Sequence, residues 1–406
     1  MKRNDNSGGT VVRAVMLAVF LIAATILALQ IAHRAFPEPP EPSALPEETP
    51  VETPASGPDA AERLLSGMTT REKICQLLIV QPEFLLKGNT PVTEMDDTLA
   101  DAMQTYPVGG MLLTLQNMKD PEQLKALTGA LQDASGIPMI LCLDEEGGEV
   151  GRLMYKVGTT RLDSMYTYRS QGTPTARANA ATLGRDLAAF GFNTDLAPVA
   201  DVWSNPENEV IGERAYSDDF DEAATLVSAA VHGFHDSGTI CCLKHFPGHG
   251  STRTDSHKEA AFVDATSDAL RVHELLPFVY GIKAGADMVM VGHLTVPALD
   301  TVPATFSGKI VNGLLRSELG FDGVVITDGI EMKAAGTEPD GVKALRALNA
   351  GCDLLLGPYD IPGTVKALEQ AVDDGTLTMD ELDAHVLRVL RLKLRYDLLP
   401  EAPAAD

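Results

Sequence analysis

The sequence predicts an α/β fold, a single (β/α)8 TIM-type barrel, on three observations. Short continuous apolar runs alternate with amphipathic stretches from residue 61 to about 399, and unbroken apolar strands are those covered on both faces in a parallel sheet. No composition break divides that region. Polar residues fall at the C-terminal ends of the runs, the ends a barrel gathers at one mouth. The competing arrangement, an open doubly wound sheet, converges six strand ends less readily.

In chain order, Met1 to Arg13 carries Lys2, Arg3 and Arg13 among small polar residues. The next nineteen residues, AVMLAVFLIAATILALQIA from Ala14 to Ala32, are uncharged, and roughly twenty such residues cross a bilayer as a helix. A cleaved signal peptide is the alternative, but its apolar region usually runs to about 7–15 residues. The expectation is a cytoplasmic segment 1–13, a transmembrane signal-anchor helix 14–33 and the remaining chain outside the cell. No cysteine near this segment offers a site for lipid attachment.

PEPPEPSALPEETPVETPASGPDA follows, with eight prolines among acidic and small residues. Such a segment buries too little to pack, so 34–60 reads as a disordered linker. In polyproline II, at about 3.1 Å per residue, it reaches on the order of 70 Å.

The barrel domain is then 61–399, with 400–406 a tail. Its strands are expected at PVGGMLL (107–113), IPMILCL (137–143), FNTDLAPVA (192–200), GTICCLKH (238–245), ADMVMVGH (286–293), DGVVITD (322–328) and CDLLLG (352–357), with AFVDA (261–265) as the eighth. Helices are expected over 175–191, 221–238, 340–351 and 379–396. Cys142, Cys241, Cys242 and Cys352 sit in apolar runs and Cys75 in an amphipathic helix, so all five read as buried free thiols. The net charge of -25 excludes nucleic-acid binding that rests on neutralising phosphates.

The chemistry concentrates in KHFPGHGSTRTDSH, Lys244 to His257. His245 and His249 are four apart, but Phe246-Pro247-Gly248 forbids the helix that would pair them on one metal. The glycines do not match a phosphate-cradling loop. Asp255 and His257 suit proton transfer, because a carboxylate that accepts the imidazole N–H fixes its tautomer and raises its basicity. Asp328 ends an apolar strand, Asp144 ends another with Arg152 eight residues on, and Arg214 lies in a polar loop.

Together these segments resemble glycoside hydrolase family 3, in particular its β-N-acetylhexosaminidase branch. LDEEGG matches a strand ending in Asp before a Gly-Gly turn, and IGERAY matches an IGxRxF-like loop. KHFPGHG with DSH matches without a gap, and SELGFDGVVITDGIEM matches a strand ending in Thr-Asp. The resemblance implies Asp328 as nucleophile, His257 as acid/base and Asp255 as the group that orients it. It implies that Asp144, Arg152, Arg214, Lys244 and His245 bind substrate, with no metal or other cofactor. The chain departs from the family pattern at Glu149, Gly151 and Gly329.

The expectation is a monomeric retaining exo-β-N-acetylglucosaminidase, tethered to the cell membrane with its catalytic domain outside, acting on N-acetylglucosamine-containing glycans such as peptidoglycan fragments. A β-glucosidase, a β-xylosidase or an N-acetylglucosaminide phosphorylase of the same family are the enzymatic alternatives. A wall-binding barrel without activity is the non-enzymatic one.

Overall fold

The computed structural model describes residues 59–253 and 261–399. The expected segments 1–13 and 14–33, the linker as far as residue 58, the tail 400–406, and Asp255 with His257 lie outside the described residues. Among the described residues no helix is long and apolar enough to cross a membrane. The helix that opens the described residues starts at Ala60, one residue before the expected domain boundary at 61. Asp59 caps the helix Ala60–Gly67, its side chain taking the Glu62 N–H at 2.8 Å while Glu62 returns a bond to the Asp59 N–H, a capping box.

Twelve strands occur among the described residues: β1 (Leu78–Val80), β2 (Gly110–Leu112), β3 (Ile140–Leu143), β4 (Glu145–Gly147), β5 (Val150–Gly151), β6 (Thr194–Asp195), β7 (Ile240–Phe246), β8 (Ala261–Phe262), β9 (Met288–Val291), β10 (Leu294–Thr295), β11 (Val324–Thr327) and β12 (Leu355–Leu356). Eight form one parallel sheet in the order β11-β9-β7-β6-β3-β2-β1-β12. The two ends of that order meet through a single parallel bridge, Ile326 to Leu354, with Thr327 N–H donating to the Leu354 carbonyl at 2.9 Å. The sheet is therefore a barrel, as expected, with its seam between β11 and β12.

That seam is braced from behind. Asp353 is fully buried and accepts from Arg316 Nη2 at 2.5 Å, from the Val325 N–H at 2.8 Å, and from His385 Nδ1 and Arg388 Nη1 of the helix Met379–Arg395, each at 2.8 Å. The opposed charges outweigh burial and hold the Asp353 carboxyl below the usual range. The helix itself starts on a Thr378–Glu381 capping box.

Seven of the expected strands belong to the barrel; AFVDA does not. Ala261–Phe262 pairs with Leu294–Thr295 in a separate parallel ribbon, and β1 supplies the eighth stave. β1 escapes notice because its three residues run straight on from the helix Thr70–Gln76, so helix and strand share one apolar run. The expected helices are present at Gly172–Ala188, Phe220–Asp236, Asp340–Ala350 and Met379–Arg395. One continuous apolar core joins strands and helices, and all five cysteines are free and buried within it.

Candidate active site

The C-terminal ends of the barrel strands open onto a cavity of about 330 Å³ whose wall includes Asp144, Arg152, Arg214, Lys244, His245 and Asp328. That volume lies at the small end for ligand sites and suits a single sugar unit. All six of these candidate residues thus reach one wall although they span more than 180 positions of sequence.

β3 ends at Leu143, so Asp144 projects at the rim, and Lys244, within β7, reaches its Oδ1 with Nζ at 2.6 Å. The same Nζ lies 2.5 Å from Glu146 Oε1. Glu146 in turn takes a bidentate pair from Arg214, Nε to Oε2 at 2.8 Å and Nη2 to Oε1 at 2.9 Å, while Arg214 Nη1 donates to the Val210 carbonyl at 2.9 Å. Burial by itself would raise the Glu146 carboxyl; the Arg214 and Lys244 charges outweigh it and hold that carboxyl far below its usual range. Lys244 is likewise held protonated by Asp144 and Glu146 against its own burial. Three of the five N–H donors of Arg214 are thereby engaged. Arg152 differs: among the described residues its guanidinium has no hydrogen-bond or ion-pair partner, and it faces the cavity.

A second buried network fixes the histidines. Asp201 Oδ2 accepts from His245 Nδ1 at 2.7 Å and from the His245 backbone N–H at 3.1 Å, and Oδ1 accepts from the His249 N–H at 2.6 Å. A carboxylate can only accept here, so Nδ1 of His245 carries a proton and Nε2 is left for the cavity. Burial pushes the His249 imidazole down, with Asp201 acting against it and His245 with it. The loop after β7 is tied to its neighbour by Asn208, whose Nδ2 donates to the His249 carbonyl at 2.8 Å. Only glycine fits at 250, where a Cβ would lie 1.6 Å from the Val202 carbonyl oxygen.

Asp328 follows β11. Its N–H donates to the Val291 carbonyl at 3.0 Å and its Oδ1 accepts the Gly329 N–H at 2.8 Å. His293 steadies the same turn. Nε2 donates to the Gly329 carbonyl at 2.9 Å, and Nδ1 lies 2.9 Å from the Thr305 hydroxyl oxygen. Glu331 stands at the cavity edge beside Gly329 and Gly357, positions where a Cβ would come within 3 Å of its carboxyl group.

Two site residues escaped the sequence reading. Glu146 joins Lys244 to Arg214, and Asp201 orients His245. The signal for the first was present in Asp-Glu-Glu at a strand end, since adjacent carboxylates that are buried need cations. Asp255 and His257 lie outside the described residues.

Comparison with known proteins agrees with this geometry. The family model described as "Glycosyl hydrolase family 3 N terminal domain" matches residues 69–392. The chain is 34% identical over 345 residues, 77% of its length, to a protein of Pseudoalteromonas piscicida named beta-hexosaminidase A, of which it spans 57%. It is 35% identical over 323 residues to a beta-hexosaminidase of Xanthomonas campestris pv. campestris, covering 77% of this chain and 95% of that one. A solved family 3 beta-N-acetylglucosaminidase from a Paenibacillus species superposes with a TM-score of 0.76 at 34% identity, over 84% of this chain and 64% of that one. The chain thus spans little more than half of one named relative and nearly all of another. By the extent of the family match and the order of its motifs, the chain belongs to glycosyl hydrolase family 3.

Proposed function

We propose that the chain is a retaining exo-β-N-acetylglucosaminidase in which Asp328 is the nucleophile, His257 the acid/base and Asp255 the residue that orients His257. The carrying observation is that the Asp328 carboxylate lines a sugar-sized cavity together with a charge-balanced set of Asp144, Glu146, Lys244 and Arg214. The names of the family 3 relatives and of the Paenibacillus enzyme support the N-acetylglucosamine specificity.

In this reading Asp328 attacks the anomeric carbon while His257 gives its proton to the departing glycosidic oxygen, and a glycosyl-aspartate forms. His257 then takes a proton from water as that water displaces Asp328. Histidine suits both roles, because its ordinary pKa of about 6.5 lies near neutrality. Asp144, Arg152, Lys244 and the Nε2 edge of His245 hold the sugar hydroxyl and N-acetyl groups. Arg214 acts mainly by fixing Glu146. Every group this route uses belongs to the protein.

The uncharged stretch Ala14–Ala32 behind a basic terminus and the proline-rich linker support a single-pass membrane tether with the barrel outside the cell. Terminal N-acetylglucosamine on peptidoglycan fragments is the substrate within reach of such a tether.

The test is hydrolysis of 4-nitrophenyl β-N-acetylglucosaminide beside the β-glucoside and β-xyloside by the full-length chain in mild detergent, with Asp328→Ala and His257→Ala. Cleavage of the N-acetyl substrate alone, lost in Asp328→Ala, is expected; preference for either other glycoside refutes the specificity. Release of a sugar 1-phosphate in phosphate buffer would instead identify a phosphorylase, and binding without turnover the inactive barrel.

A further inference from the structure

At the opposite end of the barrel from the cavity, three potential metal ligands from three rigid elements converge. His235 lies in the last turn of the helix Phe220–Asp236, Cys241 near the start of β7, and Asp287 immediately before β9. Asp287 Oδ2 is 3.2 Å from His235 Nε2 and 3.6 Å from Cys241 Sγ, and Sγ is 3.9 Å from Nε2. For a tetrahedral ion with bonds of roughly 2.3 Å to sulfur and 2.0–2.1 Å to nitrogen and oxygen, those three edges come to about 3.3, 3.5 and 3.6 Å. The triangle already has almost the dimensions of one face of such a site.

We infer that His235, Cys241 and Asp287 form a structural site for zinc or a similar divalent ion at the base of the barrel, with water as the fourth ligand. The donor set of thiolate, imidazole and carboxylate is one that zinc accepts. A thiolate and a carboxylate offset the charge of a divalent ion, with Arg395 Nη1 at 3.4 Å from the other Asp287 oxygen, Oδ1. Cys241 and Asp287 are fully buried while the His235 side chain is 31% exposed, which leaves a path for the ion and its water on the imidazole side.

The surroundings fit the role. Asp287 also accepts from the Tyr396 hydroxyl at 2.6 Å and the Cys241 N–H at 3.2 Å, bonds of the kind that hold a ligating carboxylate in place. On binding, Sγ loses its proton to solvent and the His235 ring carries its own on Nδ1. One proton therefore leaves for each ion taken up, and affinity rises with pH. The N-terminal ends of barrel strands serve stability rather than chemistry, so the ion pins helix, strands and the Tyr396 segment together.

The full-length chain, stripped with chelator and reloaded, tests this with Zn²⁺ and Co²⁺ as probes. One zinc retained per chain is expected, and one Co²⁺ giving the near-ultraviolet thiolate charge-transfer band and the visible bands of a tetrahedral ion. Cys241→Ser should abolish the thiolate band and weaken binding about 100-fold or more, and His235→Gln should weaken it similarly, while Cys242→Ser leaves both unchanged. Absence of stoichiometric metal in the wild-type chain, or a thiolate band that survives in Cys241→Ser, overturns the inference. Both readouts are independent of turnover and of the catalytic reading.

Discussion

Replacing Glu146 by glutamine tests whether the charge network under the cavity is an interdependent unit. The side chains of Glu146 and Lys244 are 3% and 2% exposed, and Arg214 sits 2.8 Å from the carboxylate. The amide keeps the shape of the carboxylate but removes one negative charge from between two buried cations. One of the two acceptor oxygens is replaced by an NH2 group that cannot accept, so Arg214 and Lys244 are left to share one neutral oxygen, beside the Val210 carbonyl for the first and Asp144 for the second. Removing one partner of a buried pair costs about 3–5 kcal/mol, whereas the same change in an exposed pair, Asp236→Asn opposite Arg177, is screened by water and should leave the unfolding midpoint nearly unchanged.

Urea unfolding followed through Trp203, the single tryptophan, measures both. The pH dependence adds a second check. The folded Glu146 carboxyl lies well below its ordinary value of 4.5, so its contribution is complete above that pH and is lost as pH falls beneath it. Wild type should therefore lose stability more steeply below pH 4.5 than Glu146→Gln does. A cost under about 1 kcal/mol, or equal acid slopes, would refute the reasoning.

Three further outcomes are expected. Asp201→Asn disturbs the tautomer and pose of His245 and should lower kcat/KM by about 100-fold with the circular dichroism unchanged; a change below about threefold would remove Asp201 from the positioning network. Burial brings the Lys393 ammonium down to about 7, with Gln76 Oε1 at 2.8 Å as its one hydrogen-bond partner among the described residues. The unfolded chain thus binds the extra proton between about pH 7 and 10.5, and stability should climb across that window by up to about 1.4 kcal/mol per pH unit from this group, a slope that Lys393→Met flattens in pH-resolved urea titrations. Gly250→Ala forces the loop away from Val202 and should cost about 1–3 kcal/mol in urea unfolding and most of the hydrolysis; unaltered activity would mean the loop tolerates displacement.

Most of the barrel was legible because seven of its strands are apolar runs bounded by turns, and because a parallel sheet covered on both faces leaves that mark. β1 was hidden by its fusion to the preceding helix, and β8 resembled a stave because two apolar residues beside the mouth pair outside the ring. In the site, residues that face the cavity announced themselves as polar groups at strand ends. Glu146 and Asp201 act through Arg214, Lys244 and His245, partners 44 to 98 positions distant; Asp-Glu-Glu at a strand end signals that a cation is needed, but nothing local says which one supplies it. The departure at Gly329 acquires a physical sense only in three dimensions, where the Glu331 carboxyl occupies the space a side chain would need.

The seam carries a consequence for how the molecule is made. β12 must insert between β1 and β11, strands from the first and last parts of the domain, and Asp353 is braced by His385 and Arg388 from a helix still later in the chain. A chain growing from its N-terminus can stack β1 through β11 as an open, curling sheet, but it has no means of shutting the ring until the helix ending at Arg395 has emerged. Until that moment both edges stay open to other strands. The final helix is in this sense the latch of the barrel, and loss of a few residues from it would strand an otherwise complete sheet in an association-prone form.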